Sequence, residues 1–300
     1  MKKVCFSLVA VVAFFGATEL GLRAIDYRGA PAPADFFFRE IAELRGVPDP
    51  VLFWRLPNIK PRFTGRAVKI ICLSDSVTVM DHGRGWPNLL PDALRELGYG
   101  RPVEVFNAGV PSYTSFQGRL YLQRELLREE PDVVVAEFGW NDHWPSEIGV
   151  ADKDVRLPPP RIFLWQKHLA RSRVYRLLRT LLIKKSTRNG TPRVSLADYR
   201  DNLLRIAEMT RAAGGRTVFA TAPYLDGTWE FRDQHRAYID ATKRVAVETG
   251  AVLLDLVPEF LGRPDLFFNP DSDPIHINKE GSALLADAAA RLLVAKGLLP

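Results

Sequence analysis

The amino-acid sequence predicts an α/β protein, a three-layer α/β/α domain on a parallel sheet, and three observations predict it. Five short apolar runs recur between residues 67 and 257: AVKIICL, VEVFNAG, DVVVAEFG, RTVFATAP and AVLLDLV. Stretches with helical periodicity, near 86–98, 115–129, 195–213, 231–248 and 279–296, follow or separate them. Runs apolar nearly throughout are strands buried on both faces, and the intervening helices cover those faces. At 300 residues, 47% hydrophobic and 25% charged, the chain can bury one substantial core and carry appendages besides.

The elements follow in chain order. Lys2 and Lys3 precede the apolar run VCFSLVAVVAFFGAT at 4–18, the order of an export signal. A signal peptidase wants small residues at positions −3 and −1, and Phe15-Gly16-Ala17 fails the first. If the helix continues to Ile25, Glu19 and Arg23 fall at i, i+4 and the apolar helix spans roughly 33 Å. Residues 1–25 are therefore expected to be an uncleaved signal anchor, with a cleaved signal peptide as the alternative. The two lysines would stay inside, and the rest would lie outside the membrane, periplasmic or extracellular, or secreted after cleavage. Residues 26–65, rich in proline and aromatics without periodicity, are expected to connect and to pack on the surface. Residues 66–300 form the α/β domain.

One insertion interrupts the alternation. Between 158 and 192, Leu164, Leu169, Tyr175, Leu178, Leu181 and Leu182 are interleaved with arginines and lysines at helical spacing. This predicts a basic amphipathic helix, either packed on the domain with a solvated basic face or serving as a lid or membrane-surface contact. The formal charge of +6 is concentrated there. The stretch is leucine-rich and lacks a nucleic-acid-binding motif, so nucleic acid is not an expected partner. Cys5 and Cys72, one in the apolar run and one in a strand, offer neither a disulfide framework nor a metal cluster.

Four segments at strand ends carry chemistry. IICLSDSVT places Ser76 where a hydroxyl can attack and its own N–H can face an oxyanion. VEVFNAG ends on Gly109, whose missing side chain lets a substrate oxygen approach its N–H. DVVVAEFGWNDH supplies Asn141, an amide that can stabilise negative charge without competing as a base. In NPDSDPIHINKEG, Asp273 stands three residues before His276, close enough to hold the imidazole N–H or to position the loop. Taken singly, each also reads as a helix cap or turn. Trp140 and Tyr113 are candidate pocket walls for substrate binding. His82 and His143 follow two of these segments and are expected in loops, and His168 and His235 at the surface.

In this order and at strand ends, the four segments resemble the blocks of the SGNH hydrolases, the GDSL esterases and lipases, over about residues 67–296. The resemblance implies a flavodoxin-like fold with five parallel strands. It implies a nucleophile at Ser76, a triad completed by His276 and Asp273, and an oxyanion hole from Ser76, Gly109 and Asn141, with no metal or organic cofactor. The implied function is a serine esterase working through an acyl-enzyme on a small-molecule, glycan or lipid ester. The alternatives are an O-acyltransferase acting on a cell-envelope glycan and a catalytically silent glycan- or lipid-binding module. The stretch ending in ELGLR is similar to that of exported bacterial members. One position departs from the pattern: Ser74 stands where the family has glycine, which would strain the turn if φ there were positive.

Overall fold

The computed structural model describes residues 2–29, 46–57, 60–79, 85–147, 149–157, 159–182, 190–225 and 232–300. The chain groups into two compact units, one of residues 1–57, 147–150 and 155–189, the other of residues 58–146, 151–154 and 190–300.

The second unit is the α/β domain. Its strands are β3 (Val68–Leu73), β4 (Val103–Asn107), β5 (Val133–Phe138), β6 (Arg216–Thr221) and β7 (Val252–Leu254), all parallel and ordered β4-β3-β5-β6-β7. These are the five predicted runs. Counting only these strands, the order is 2-1-3-4-5, a doubly wound sheet whose direction of winding reverses at β3. Side chains alternate between the faces. Val68, Ile70 and Cys72 join Val133 and Val135 in a core with Leu90 and Leu94 of α2 (Trp86–Glu96) and Leu285 and Ala289 of α10 (Lys279–Ala295). The opposite face is covered by α3 (Ser115–Arg124), α7 (Leu196–Ala212) and α8 (Arg232–Thr249), which pack on one another in sequence. Helix starts follow local chemistry: Ser195 Oγ accepts the Asp198 N–H at α7, and Asn278 Oδ1 accepts the Gly281 N–H at α10. Two short helices, α4 (Trp140–His143) and α9 (Val257–Phe260), follow β5 and β7. A hairpin that periodicity did not reveal, β8 (Phe267–Asn269) with β9 (Asp273–Ile277), precedes α10.

The first unit holds α1 (Lys2–Ala24), the hairpin β1 (Val47–Asp49) with β2 (Phe53–Arg55), α5 (Pro160–Leu169) and α6 (Arg173–Leu182). The predicted connecting segment thus contains a hairpin, closed by Asp49 Oδ1 accepting the N–H groups of Val51 and Leu52. The insertion is two helices rather than one, and its contacts group it with the N-terminal residues instead of the α/β domain. The reason is a polar lock. Glu19 pairs with Arg23 at 2.8 Å as its i, i+4 spacing predicts, and its other oxygen accepts the Ser172 hydroxyl and the Val174 N–H at the start of α6. Among the described residues, no helix is long and apolar enough to cross a membrane. In the run at 4–18 that suggested an anchor the side chains of residues 4–9, and in the insertion those of Leu164 and Leu182, lie outside the described residues.

Candidate active site

Every predicted catalytic residue lies in the α/β unit, at the carboxyl end of the sheet where winding reverses. Ser76 follows β3, Gly109 follows β4 and Asn141 follows β5, while the hairpin at the C-terminal side brings in Asp273 and His276. Crevices of doubly wound sheets open at this point because neighbouring connections leave in opposite directions.

The turn that carries Ser76 is a single 3-10 turn, Ser76–Thr78, capped by Asp75, whose Oδ1 accepts the Val77 N–H at 3.0 Å. The capping role is therefore played by Asp75, and the Ser76 hydroxyl is left for chemistry. Ser76 Oγ lies 2.9 Å from His276 Nε2. His276 Nδ1 lies 2.7 Å from Asp273 Oδ2, and Asp273 Oδ1 accepts the backbone N–H groups of Ile275 and His276, each at 3.1 Å. One carboxylate thus does both jobs the spacing offered: it shapes the bend and it holds the ring. Because a carboxylate only accepts, Nδ1 carries the proton, and the lone pair of Nε2 faces the serine.

The groups expected to bind an oxyanion are arranged less openly. Ser76 N–H opens its turn, at the end where N–H groups have no intrahelical acceptor. The Gly109 N–H donates to Asn107 Oδ1 at 3.0 Å, and Asn107 Nδ2 donates to Thr78 O at 2.7 Å. Asn141 Nδ2 donates to Asp75 Oδ2 and to Tyr113 O, both at 3.1 Å. Two of the three donors are therefore engaged inside the protein in the substrate-free chain, as catalytic hydrogen bonds often are before the Michaelis complex forms.

Gly109 is required sterically as well. A Cβ there would overlap Thr78 Oγ1 and lie 2.9 Å from the Asp75 carbonyl oxygen, so β4's exit leans directly on the turn that carries Ser76. Gly109→Ala is expected to cost about 1–3 kcal/mol in an unfolding titration and, by displacing Ser76, about 10²-fold in turnover. A fully active, equally stable variant would contradict this packing. Gly139 sits at φ 136°, a conformation open to glycine, and so turns β5 into α4.

Buried acids surround this frame. Asp142 accepts the Ser115 N–H and hydroxyl, fixing α4 to the start of α3, and burial pushes its carboxyl up to about 7. Burial also raises Asp75 to about 6, against the opposing pull of the Val77 N–H and the His276 charge. Glu137, on β5, is driven well above the ordinary carboxylate range by burial and then by the Asp75 charge. Among the described residues, neither Glu137 oxygen has a hydrogen-bond partner, nor does Ser74 Oγ. Asp75, Asn107 and Asp142 went unnoticed in the sequence. Each is adjacent, or nearly so, to a recognised residue, and that adjacency was the signal available.

Several expectations are corrected, and His143, expected in a loop, lies in α4 and is buried. Trp140 is not a pocket wall: its ring is 2% exposed, stacks on His235 with 3.7 Å between centroids, and donates from Nε1 to the Pro223 carbonyl. His235 is not at the surface but fully buried, bonded to His143 Nε2 through Nδ1 and to the Ala222 carbonyl through Nε2. Burial lowers His143 to about 4 and His235 to about 3, so both are neutral packing groups at physiological pH. Tyr113 is likewise buried, His168 is exposed, and His82 lies outside the described residues.

A hydroxyl, an imidazole and a carboxylate bonded in series at the switch point of such a sheet define a hydrolase of the SGNH kind. The chain belongs to the GDSL-like Lipase/Acylhydrolase family, whose model matches residues 72–284. Its fold is similar to that of a lipase/acylhydrolase from Enterococcus faecalis, at 21% identity and a TM-score of 0.52 over 77% of this chain and 97% of that one. It is also similar to an acetylxylan esterase from Geobacillus stearothermophilus, at 18% identity and 0.52 over 75% and 93%. In sequence, 77 residues are 38% identical to an arylesterase of Vibrio mimicus, covering 25% of this chain and 38% of that protein.

Proposed function

We propose that this protein is a serine esterase that hydrolyses a carboxylic ester through an acyl-enzyme. The observation that carries the reading is the Ser76 Oγ to His276 Nε2 distance of 2.9 Å, continued by His276 Nδ1 to Asp273 Oδ2 at 2.7 Å. Ser76 Oγ bonds to the ester carbonyl carbon as its proton passes to His276 Nε2, and Asp273 stabilises the imidazolium that results. The carbonyl oxygen becomes an oxyanion beside the Ser76 N–H. Gly109 N–H and Asn141 Nδ2 complete the hole by exchanging part of their bonds to Asn107, Tyr113 and Asp75 for bonds to that oxygen. The C–O bond then breaks and the alcohol leaves with the proton from His276. Water attacks the acyl-enzyme, giving its proton to the same nitrogen, and the acid departs as Ser76 recovers its hydrogen.

The His276 and Asp273 side chains are 28% and 32% exposed, so water reaches the base, which favours hydrolysis over acyl transfer to a second alcohol. A small acyl group on a glycan or a simple alcohol is the favoured substrate, since the relatives are named as acetylxylan esterase and arylesterase. The test is release of p-nitrophenol from the acetate and butyrate esters, with product analysis in the presence of an acetylated xylan and of an acceptor glycan. Free acid as the product supports the esterase. Acylated acceptor would assign a transferase, and no turnover with no fluorophosphonate labelling of Ser76 would leave a binding module.

The same proposal places the α/β unit outside the cytoplasm, held at the membrane by its N-terminal helix, because two lysines precede an apolar run of signal length. Protease added to intact cells should reach the tagged C-terminus after the outer permeability barrier is opened. Protection until the cytoplasmic membrane is lysed would refute it.

A further inference from the structure

Each of the two helices of the insertion leaves apolar side chains uncovered. On α5, Ile162, Trp165 and Leu169 are 51%, 70% and 47% exposed, and their i, i+3, i+7 spacing puts them on one side of the helix. On α6, Leu178 and Leu181 are 46% and 72% exposed at i, i+3. Helix α1, which packs on α6, adds Val12, Phe14 and Leu20 to the exposed apolar side chains of this unit.

The charge carried by the insertion itself has one sign. From 155 to 189 the chain carries seven arginines and three lysines and no acidic residue. The two carboxylates facing these helices from α1 and its end are already engaged. Glu19 holds Arg23 and the start of α6, and Asp26 pairs with Arg28 and with Arg173 at 3.1 Å. Arg161, His168 and Arg171 remain exposed beside the apolar side chains of α5.

We propose that α5 and α6 lie on an anionic phospholipid surface. Ile162, Trp165, Leu169, Leu178 and Leu181 enter the boundary between headgroups and acyl chains, and the neighbouring guanidinium groups meet the phosphates. Interleaved cationic and apolar residues with an exposed tryptophan are what an in-plane interfacial helix requires. A second copy of the chain fits poorly, since a two-fold interface through this face would set arginines against arginines. The inference is independent of the esterase reading and differs from anchoring by α1, because an apolar anchor has no preference for lipid charge.

The experiment uses the full chain with vesicles of phosphatidylcholine, alone or mixed with phosphatidylglycerol, followed by flotation and by quenching of tryptophan emission with brominated lipid. The wild type is expected to bind the mixed vesicles about tenfold or more tighter than the neutral ones, an increment that raised salt removes. Arg161→Gln/Arg171→Gln and Ile162→Ser/Trp165→Ser/Leu181→Ser should each lose that increment while keeping the wild-type thermal melt. Trp165→Phe should bind normally but lose most of the quenching, which locates α5 in the bilayer. Equal binding to both vesicle types, unchanged quenching in Trp165→Phe, or dimerisation abolished by the apolar variant without any lipid preference would each overturn the proposal.

Discussion

Replacing Ser76 with alanine is expected to lower kcat for p-nitrophenyl butyrate by about 10⁴-fold or more, with KM little changed. His276→Ala should fall to a similar level, because the hydroxyl 2.9 Å away then has no base to take its proton. The double variant should be no worse than either single one, since the two groups act as a unit and what remains comes from the oxyanion donors and substrate binding. Asp273→Asn is expected to cost somewhat less, about 10³–10⁴-fold, because its amide can present Nδ1 with a donor and so favour the wrong imidazole tautomer. Its carboxylate is partly exposed, and an amide keeps an acceptor for the two backbone N–H groups at the bend. The measurement is initial rate against substrate concentration for the four proteins, with circular dichroism to verify folding. Wild-type rates in Ser76→Ala would end the assignment of the nucleophile.

The site was legible in the sequence to the extent that its groups stand at strand ends, where a parallel sheet must gather them. What could not be read is which hydrogen bonds those groups make before substrate arrives. Asn141 and Gly109 are donors in any reading, but their engagement by Asp75, Tyr113 and Asn107 depends on how three loops meet, and no spacing reports that. Ser74 shows the same limit from the other side. Glycine is needed where φ is positive, and the non-glycine residues with positive φ among those described are Asp26, Phe53, Ser112 and Glu130. Ser74 is not one of them, so the substitution adds no backbone strain. Its consequence is chemical instead: a hydroxyl 1% exposed, with no partner among the described residues.

For the fold, nearly continuous apolar runs announce strands buried on both faces and a 3.6-residue period announces helices, and the five strands and their covering helices were read from these. The hairpin β8–β9, Phe267–Asn269 with Asp273–Ile277, mixes polar residues and proline among its apolar ones, so no apolar run marks it, yet it carries His276. The insertion showed a helical period throughout, and α6 starts afresh near Arg173 because Ser172 Oγ accepts the Tyr175 N–H there and the Glu19 carboxylate, more than 150 residues earlier, accepts the Ser172 hydroxyl and the Val174 N–H. Arg193, which follows the basic stretch directly, is 7% exposed and bonds Asp152 at 3.0 Å, so it belongs to the interior of the α/β unit. His235 and Trp140 misled for a related reason. Residue type suggests exposure or a pocket, whereas stacking of an indole on a neutral imidazole makes both good core material.

Glu137→Gln is expected to stabilise the protein, increasingly so as pH rises. Glu137 lies in the central strand one step beyond the Leu73–Ala136 pair, beside Ser74, with both oxygens buried and unpartnered among the described residues. Its folded-state affinity for a proton is raised by burial and by the Asp75 charge, so the native protein holds a proton there that the unfolded chain gives up in the ordinary carboxylate range. The sign follows: stability linked to Glu137 is fully present below the unfolded value and is lost as pH climbs toward the folded one. Across that interval the loss runs at about 1.4 kcal/mol per pH unit, and glutamine, which does not titrate, escapes it. Replacing the acid should therefore gain little near pH 4 and progressively more Tm as pH rises above the ordinary carboxylate range. The linkage would show directly in urea titrations of both proteins at pH 4, 5, 6 and 7. Parallel stability curves would mean that Glu137 is ionised in the native protein, which would require a counter-charge or water beside Ser74 and would make the floor of the nucleophile turn polar rather than dry.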